Sequence, residues 1–428
     1  MRTLKKIILS ALILASTSVA FSQSQYNDAS IYSYLGLGMP IEHGSSQALG
    51  MGLSGVAMRS MIHGNVSNPA LWSATRLTLI NGGFLYNYME AEEIAGKASF
   101  SNLTVNSFQV QIPIIREKLG VSMSLMPVTE SKYSVSLDSE FIRPGNEIAL
   151  PDTIRYNIFT RGDGGLNRLE VGFGYQILKN LSVGYGASLI FGNKSDYKET
   201  AFYSTAYAFT TETERINSFG YAHRFGMYAD FPSPFLSNDY IAIGATATLP
   251  VNLENKRLRT IAYGPNETEI EDRVIGNTDL PFEYNVGLAY YPNAYLMLSS
   301  EMLFQQWSNY QNFSGFNEEF MKDRVKLGLG FEYAAIRRPE NSLFTRFIYR
   351  GGVSMDSGHL ELNGTDIKTL KFTAGLGIPS PASGSSVDVN FDFGIRGTTS
   401  HELVRERIFA LRVTFNLSEM MFLQRRLQ

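Results

Sequence analysis

Between Leu169 and Ile177 every second residue is apolar: Leu169, Val171, Phe173, Tyr175 and Ile177, with Glu170, Gly172, Gly174 and Gln176 between them. Successive side chains of a strand point to opposite faces, so a period of two describes a sheet with one apolar face and one small or polar face. The rhythm returns at Phe409, Leu411, Val413, Phe415 and Leu417, which alternate with Ala410, Arg412, Thr414 and Asn416. Fold and function both turn on whether the apolar face meets a core or a bilayer.

The chain begins as a secretory signal does. Met1, Arg2, Lys5 and Lys6 make a basic end, and Ile7 to Ala15 make an apolar run too short to span a bilayer. Cleavage after Ala20 or after Ser22 fits the small-residue rule, so residues 1–22 are expected to be removed. With no cysteine, the exported chain has no disulfide framework and no thiol chemistry. A net charge of −3 gives no basic field for nucleic acid.

Alternation marks strands near 77–88, 99–114, 119–134, 165–178, 181–193, 216–231, 239–250, 282–292, 294–309, 322–334, 343–356, 367–378, 384–398 and 403–417. Many reach the length of roughly ten residues that a tilted strand needs to cross a bilayer, where soluble strands average about five or six. Short turns such as Arg116-Glu117-Lys118 and Leu178-Lys179-Asn180 alternate with long polar stretches at 135–164, 194–215, 251–281 and 310–321. That asymmetry is the mark of an outer-membrane barrel, with the short turns periplasmic. The expected fold is an all-β, transmembrane antiparallel barrel of about fourteen strands, spanning 77–417. A soluble β-sandwich or propeller explains neither the strand lengths nor the loop asymmetry.

In such a barrel Leu181, Val183, Tyr185, Ala187 and Leu189 face lipid, as do Val325, Leu327, Leu329 and Phe331. The opposite parity faces the lumen and carries Arg324, Lys326, Glu332, Arg346, Arg350, Asp388, Asn390, Asp392, Arg396 and Arg412. Charges of both signs suit an interior crossed by salt bridges. A ligand carboxylate in that lumen would seek a cation able to hydrogen-bond, and Arg224, Arg346 and Arg350 have the parity for it.

Residues 23–76 precede the first strand and are rich in small residues, as in Leu49-Gly50-Met51-Gly52-Leu53-Ser54-Gly55-Val56-Ala57. The spacing matches G-x-G-x-x-G, but no acidic residue occurs between Glu42 and Glu90, so a dinucleotide site is excluded. Small residues instead let a backbone fold tightly in a confined space, and Asn68-Pro69-Ala70 ends the segment with a turn.

These runs, with Gly64-Asn65-Val66-Ser67-Asn68-Pro69-Ala70-Leu71 and the strand from Leu77 to Phe84, resemble the start of the FadL/TodX family of outer-membrane hydrophobic-compound transporters. The resemblance implies a 14-stranded barrel plugged by an N-terminal hatch, with Gly50, Gly52, Gly55, Asn68, Pro69 and Ala70 as hatch and gating residues. It implies a third strand kinked inward as a lateral exit, placed here at Pro127. It also implies an external apolar groove, for which Phe202, Tyr203, Tyr207 and Phe209 are candidates, although that stretch also reads as a hairpin extending the wall. The expected partners are hydrophobic small molecules, fatty acids or aromatic hydrocarbons, and outer-membrane lipid. The sequence departs from the family at Arg59-Ser60-Met61-Ile62-His63, where many members carry acidic residues.

The five histidines form no metal-ligand spacing and no Ser/His/Asp constellation, so neither catalysis, a metal nor a cofactor is expected. The basic tail at 418–428 reads either as a segment under the barrel rim or as a dock for a periplasmic partner. Some FadL-like barrels serve protein secretion, which makes partner binding the alternative function.

Overall fold

The computed structural model describes residues 30–94, 96–143, 152–264, 270–337, 342, 344–380 and 384–419. The signal segment 1–22 lies outside these residues, as does the tail beyond Glu419.

Fourteen antiparallel strands close into a barrel. They are β1 (Thr78–Glu92), β2 (Lys97–Ile115), β3 in two pieces (Leu119–Pro127 and Tyr133–Arg143), β4 (Asp152–Leu178), β5 (Leu181–Phe202), β6 (Thr210–Pro232), β7 (Tyr240–Thr248, resumed at Val251–Tyr263) and β8 (Ile270–Leu280, resumed at Glu283–Tyr291). β9 (Leu296–Gln305), β10 (Arg324–Ala334), β11 (Ile348–Asp356), β12 (Thr369–Pro379), β13 (Ser386–Arg396) and β14 (Arg405–Glu419) complete it. β14 returns to β1, with Thr78 opposite Glu419. Closure pairs the edges that hydrocarbon cannot hydrate.

The alternation now has a direction. On β10, Leu329 is 62% exposed and Glu332 5%, so the apolar parity points outward to lipid and the polar parity inward. No helix among the described residues is long and apolar enough to cross a membrane.

Three of the expected loops are walls. Tyr133–Arg143 pairs with Asp152–Gly162, β5 and β6 remain paired from Ser195 to Thr200 and Thr210 to Arg215, and Val251–Ile261 pairs with Ile270–Leu280. β4 thus runs for 27 residues and β6 for 23, while β11 has 9, so the barrel rises far above the bilayer on one side. The sequence between 310 and 321 differs in another way. Trp307, Tyr310 and Met321 are buried with Tyr32, Leu37, Leu360, Ile367 and Leu403, forming an apolar cap inside the extracellular mouth.

Arg346 is a further correction. The short turn Phe344–Arg346 precedes β11 and resets the parity, leaving Arg346 exposed at the periplasmic end rather than in the lumen.

β3 breaks after Pro127, whose ring cannot donate to a ladder. Its neighbour β4 yields at Gly164 and Gly165, whose φ values of 120° and 143° suit glycine. A Cβ on Gly165 would lie 2.2 Å from the Thr129 carbonyl oxygen. The chain between the two pieces turns inward and pairs with the N-terminal segment, Met39 opposite Glu130 and Pro40 opposite Thr129. Among the described residues β2 therefore meets β3 over Phe108–Ile115 alone, and beyond Ser107 a seam opens between them.

Candidate functional site

The segment before β1 runs down the inside of the barrel. Ser30 and Ser33 hydrogen-bond Lys132 near the extracellular end, and Ile41 donates its N–H to the Val128 carbonyl at 2.9 Å. Lower down, Ser45 caps a single helical turn, α1 (Ser46–Leu49), by accepting from the Ala48 N–H.

Glu301 on β9 holds the Gly-rich run. Its carboxylate accepts from the backbone N–H groups of Ser54 (2.8 Å), Gly55 (2.5 Å) and Val56 (2.9 Å), and from the Ser54 hydroxyl (2.6 Å). Gly52 and Gly55, with φ of 71° and 90°, make the turns that aim those groups at one acceptor. Charge-assisted bonds of this kind are about twice as strong as neutral ones.

Asn68 ties the other end. Its side-chain amide donates to the Val56 carbonyl (2.7 Å) and to Met227 on β6 (3.0 Å), while its Oδ1 accepts from the Ala70 N–H (3.0 Å). Pro69 opens the 3₁₀ turn that follows, and Ala70 is wholly buried. Wall glycines make room for this turn. A Cβ would lie 2.2 Å from the Pro69 carbonyl carbon at Gly184, 2.4 Å from its oxygen at Gly174, and 1.9 Å from the Trp72 carbonyl oxygen at Gly120. Gly50 lies against Asn390 and Arg350, where a Cβ would be 2.6 Å from Asn390 Oδ1.

Lumen charges weld the segment to the wall. Arg350 sits between Glu332 (2.8 Å) and Asp388 (2.6 Å); Asp388 also takes the Ser46 hydroxyl at 2.5 Å, and Glu332 takes the Gln47 amide at 2.8 Å. Glu42 pairs with Lys326 at 2.8 Å and with Lys371. A buried charge is tolerable only when paired in this manner.

The structure also joins a serine, a histidine and an aspartate that the sequence left apart. Ser60 Oγ lies 2.9 Å from His63 Nδ1, and His63 Nε2 lies 3.2 Å from Asp388 Oδ2. Ser60 Oγ also accepts from the N–H groups of Ile62 and His63, so it closes a turn rather than presenting a nucleophile.

Above the Gly-rich run lies a cavity of about 150 Å³, lined by Ile41, Leu53, Val128, Val251 and Trp307 together with Glu42, His43, Arg168, Arg224 and Lys326. Arg224 is spoken for, donating to the Val66 carbonyl at 2.7 Å and lying 3.6 Å from Glu170. Arg350 is likewise consumed. Arg168, one position of the same parity before Glu170, is the residue the sequence reading missed: it is 9% exposed, its Nε has no hydrogen-bond partner, and no ion pair joins it to a described carboxylate. Burial, with the guanidinium groups of Arg168 and Arg412 beside it, pushes the His43 imidazole down from 6.5 to about 3, so His43 is neutral.

Phe202, Tyr203, Tyr207 and Phe209 stand away from this cavity at the tip of the β5–β6 hairpin. Phe202 packs on Tyr156 at 5.9 Å and on Tyr207 at 5.2 Å, and the Tyr203 hydroxyl donates to Asp138 at 2.8 Å. Pro127 stands at the break that starts the seam. Across the seam, the Asn102 amide donates to Glu130 at 3.0 Å. A slot of about 290 Å³ lies between Ala98 and Phe100 on β2 and Tyr133 to Ser136 on β3.

A family model described as BamG matches residues 3–428. The chain belongs to the BamG family. No curated protein matches its sequence. Among solved structures, this BamG-family chain is similar to a FadL homologue from Pseudomonas aeruginosa, with a TM-score of 0.58 and 12% identity over 88% of this chain and 99% of that one. It is also similar to the toluene transporter TodX of Pseudomonas putida (0.54, 14%, 89% and 98%) and to a monoaromatic hydrocarbon channel, CymD (0.55, 13%, 88% and 98%). At these identities the likeness is one of fold: this BamG-family chain is a FadL-like barrel.

Proposed function

We propose that this barrel conducts compact hydrophobic compounds bearing one acidic group, receiving them from the extracellular side and releasing them sideways through the seam between β2 and β3. Arg168 carries the reading. A buried guanidinium whose Nε has no hydrogen-bond partner favours an anion that completes it, and here it lines a cavity where charged groups such as Glu42 and Lys326 stand beside the apolar side chains of Ile41, Leu53, Val128, Val251 and Trp307. A cavity of about 150 Å³ takes a benzene-sized ring, which favours a small aromatic or short-chain acid over a long-chain fatty acid. The aromatic tip around Phe202 and Phe209 offers a first apolar contact, and the welded N-terminal segment acts as a hatch that bars the direct way to the periplasm. TodX, a toluene transporter, and CymD, a monoaromatic hydrocarbon channel, share the fold and support the aromatic half of this reading.

The test is binding of 4-fluorobenzoate and of toluene to the purified protein, followed by fluorine and proton NMR. Loss of one charge-assisted contact is worth about 1.5–3 kcal/mol, so Arg168→Gln weakens benzoate about tenfold or more and leaves toluene unchanged. Equal benzoate binding by both proteins would refute the assignment.

Partner attachment is the second reading. The one-sided wall formed by β3 to β8 favours it, because a tall ribbed surface laced by pairs such as Arg259–Glu212 (2.6 Å) is not needed to conduct a small molecule.

A further inference from the structure

Lys97–Asn106 of β2 pairs on one side with β1 and, among the described residues, with no strand on the other. Tyr133–Arg143 across the seam pairs with β4. Among the described residues no strand pairing joins this edge to that of β2. Part of this seam lies at lipid level, since Leu103 and Val105 are 62% and 58% exposed on the outward face. Backbone groups left open there cannot turn to water.

A second observation points the same way. Asn102 and Asn106 are 4% and 3% exposed on the inward parity of that edge, and the Oδ1 of each is buried without a hydrogen-bond partner. A register shift between β1 and β2 makes Asn106 the extra residue of a bulge, at the level where pairing with β3 stops. Bulges of this kind end or redirect pairing.

We propose that the seam is a docking site for one extended strand of a second polypeptide, added edge to edge against Lys97–Asn106. The chemistry of the site specifies the strand. Its backbone supplies the ladder that β2 lacks; its inward side chains are hydroxyl or amide residues that donate to Asn102 and Asn106; its outward ones are branched or aromatic and continue the lipid face of Leu103 and Val105. That is the pattern of a membrane-barrel strand rather than of a fatty acid or a soluble loop. The Asn102–Glu130 contact is the side-chain latch such a strand displaces. A docked strand closes the seam, so lateral release belongs to the barrel without it, and the test below follows backbone pairing and not the movement of any small molecule.

The chain has no cysteine, so Ser101→Cys gives a single reporter on the exposed edge of β2. The probe is a synthetic peptide alternating threonine and valine with one central cysteine, presented to the full chain in lipid nanodiscs. Its control replaces alternate threonines with proline, which removes the donors of one edge. The alternating peptide is expected to form at least tenfold more disulfide than the control, and to slow amide exchange over 97–106 about tenfold with β9 to β13 unchanged. Equal crosslinking by the two peptides, no crosslinking, or amides at 97–106 already as protected as those of β9 before peptide is added would each overturn the proposal.

Discussion

Glu301 accepts a 2.5 Å hydrogen bond from the backbone N–H of Gly55, a residue 246 positions earlier in the chain. The same carboxylate takes the N–H groups of Ser54 and Val56, so one charge on β9 fixes the Gly-rich run inside the barrel. Each such bond contributes about 1.5–3 kcal/mol when one partner is ionised. Glu301→Gln keeps the volume and loses the charge. Residues 49–57 are then expected to become cleavable by added protease in detergent, with the wall still folded; Glu254→Gln, on the exposed upper wall, is expected to change nothing.

Gly184 tests the fit between segment and wall. Any Cβ there meets the Pro69 carbonyl carbon at 2.2 Å, and overpacking of this kind costs about 1–3 kcal/mol. Gly184→Val is expected to lower the heat stability of the barrel and expose Asn68 to Trp72 to hydrogen exchange. Ala187→Val, on the adjacent lipid-facing parity, is the control and is expected to be neutral.

The wall was legible in the sequence wherever one face met lipid, because only there does a period of two appear in hydropathy. Above the membrane both faces are wet. Pairs such as Arg155–Glu140 and Arg257–Asp272 hold the upper hairpins without any apolar rhythm, which is why 135–164 and 251–281 read as loops. Asn68-Pro69-Ala70 was legible as a turn in a confined space, and the inward glycines at 172, 174, 184 and 186 were the imprint of what fills it. Arg168 was not legible. Its lack of a partner depends on which carboxylates distant strands bring near, and neither parity nor local spacing carries that.

His359 gives the extracellular cap an acid limit. It is 2% exposed, its ring lies 4.9 Å from that of Trp307, and burial with Arg324 beside it pushes its pKa from 6.5 down to about 3. Between those values the opened loop binds a proton that the closed one does not, so the cap is fully stable above about pH 6.5 and loses roughly 1.4 kcal/mol per pH unit below it. In a Trp72→Phe background, Trp307 emission is expected to shift to the red as pH falls from 7 toward 4. His359→Phe should remove that shift.

Pro127 ends the lower piece of β3 at the point where pairing with β2 has already stopped. Pro127→Val restores a donor and lets the strand run straight. Uptake of a fluorescent naphthoate by cells carrying the protein is expected to fall, with heat-modifiable migration of the barrel unchanged.

The seam itself is the most direct test. Asn102 and Glu130 already touch across it through their side-chain tips, so Asn102→Cys with Glu130→Cys places two thiols that a short bis(methanethiosulfonate) reagent bridges by disulfides, in a chain that has no other thiol. Naphthoate uptake should stop when the pair is bridged and recover on reduction, with the barrel intact in both states. Uptake that continues at the same rate with the bridge formed would contradict lateral release.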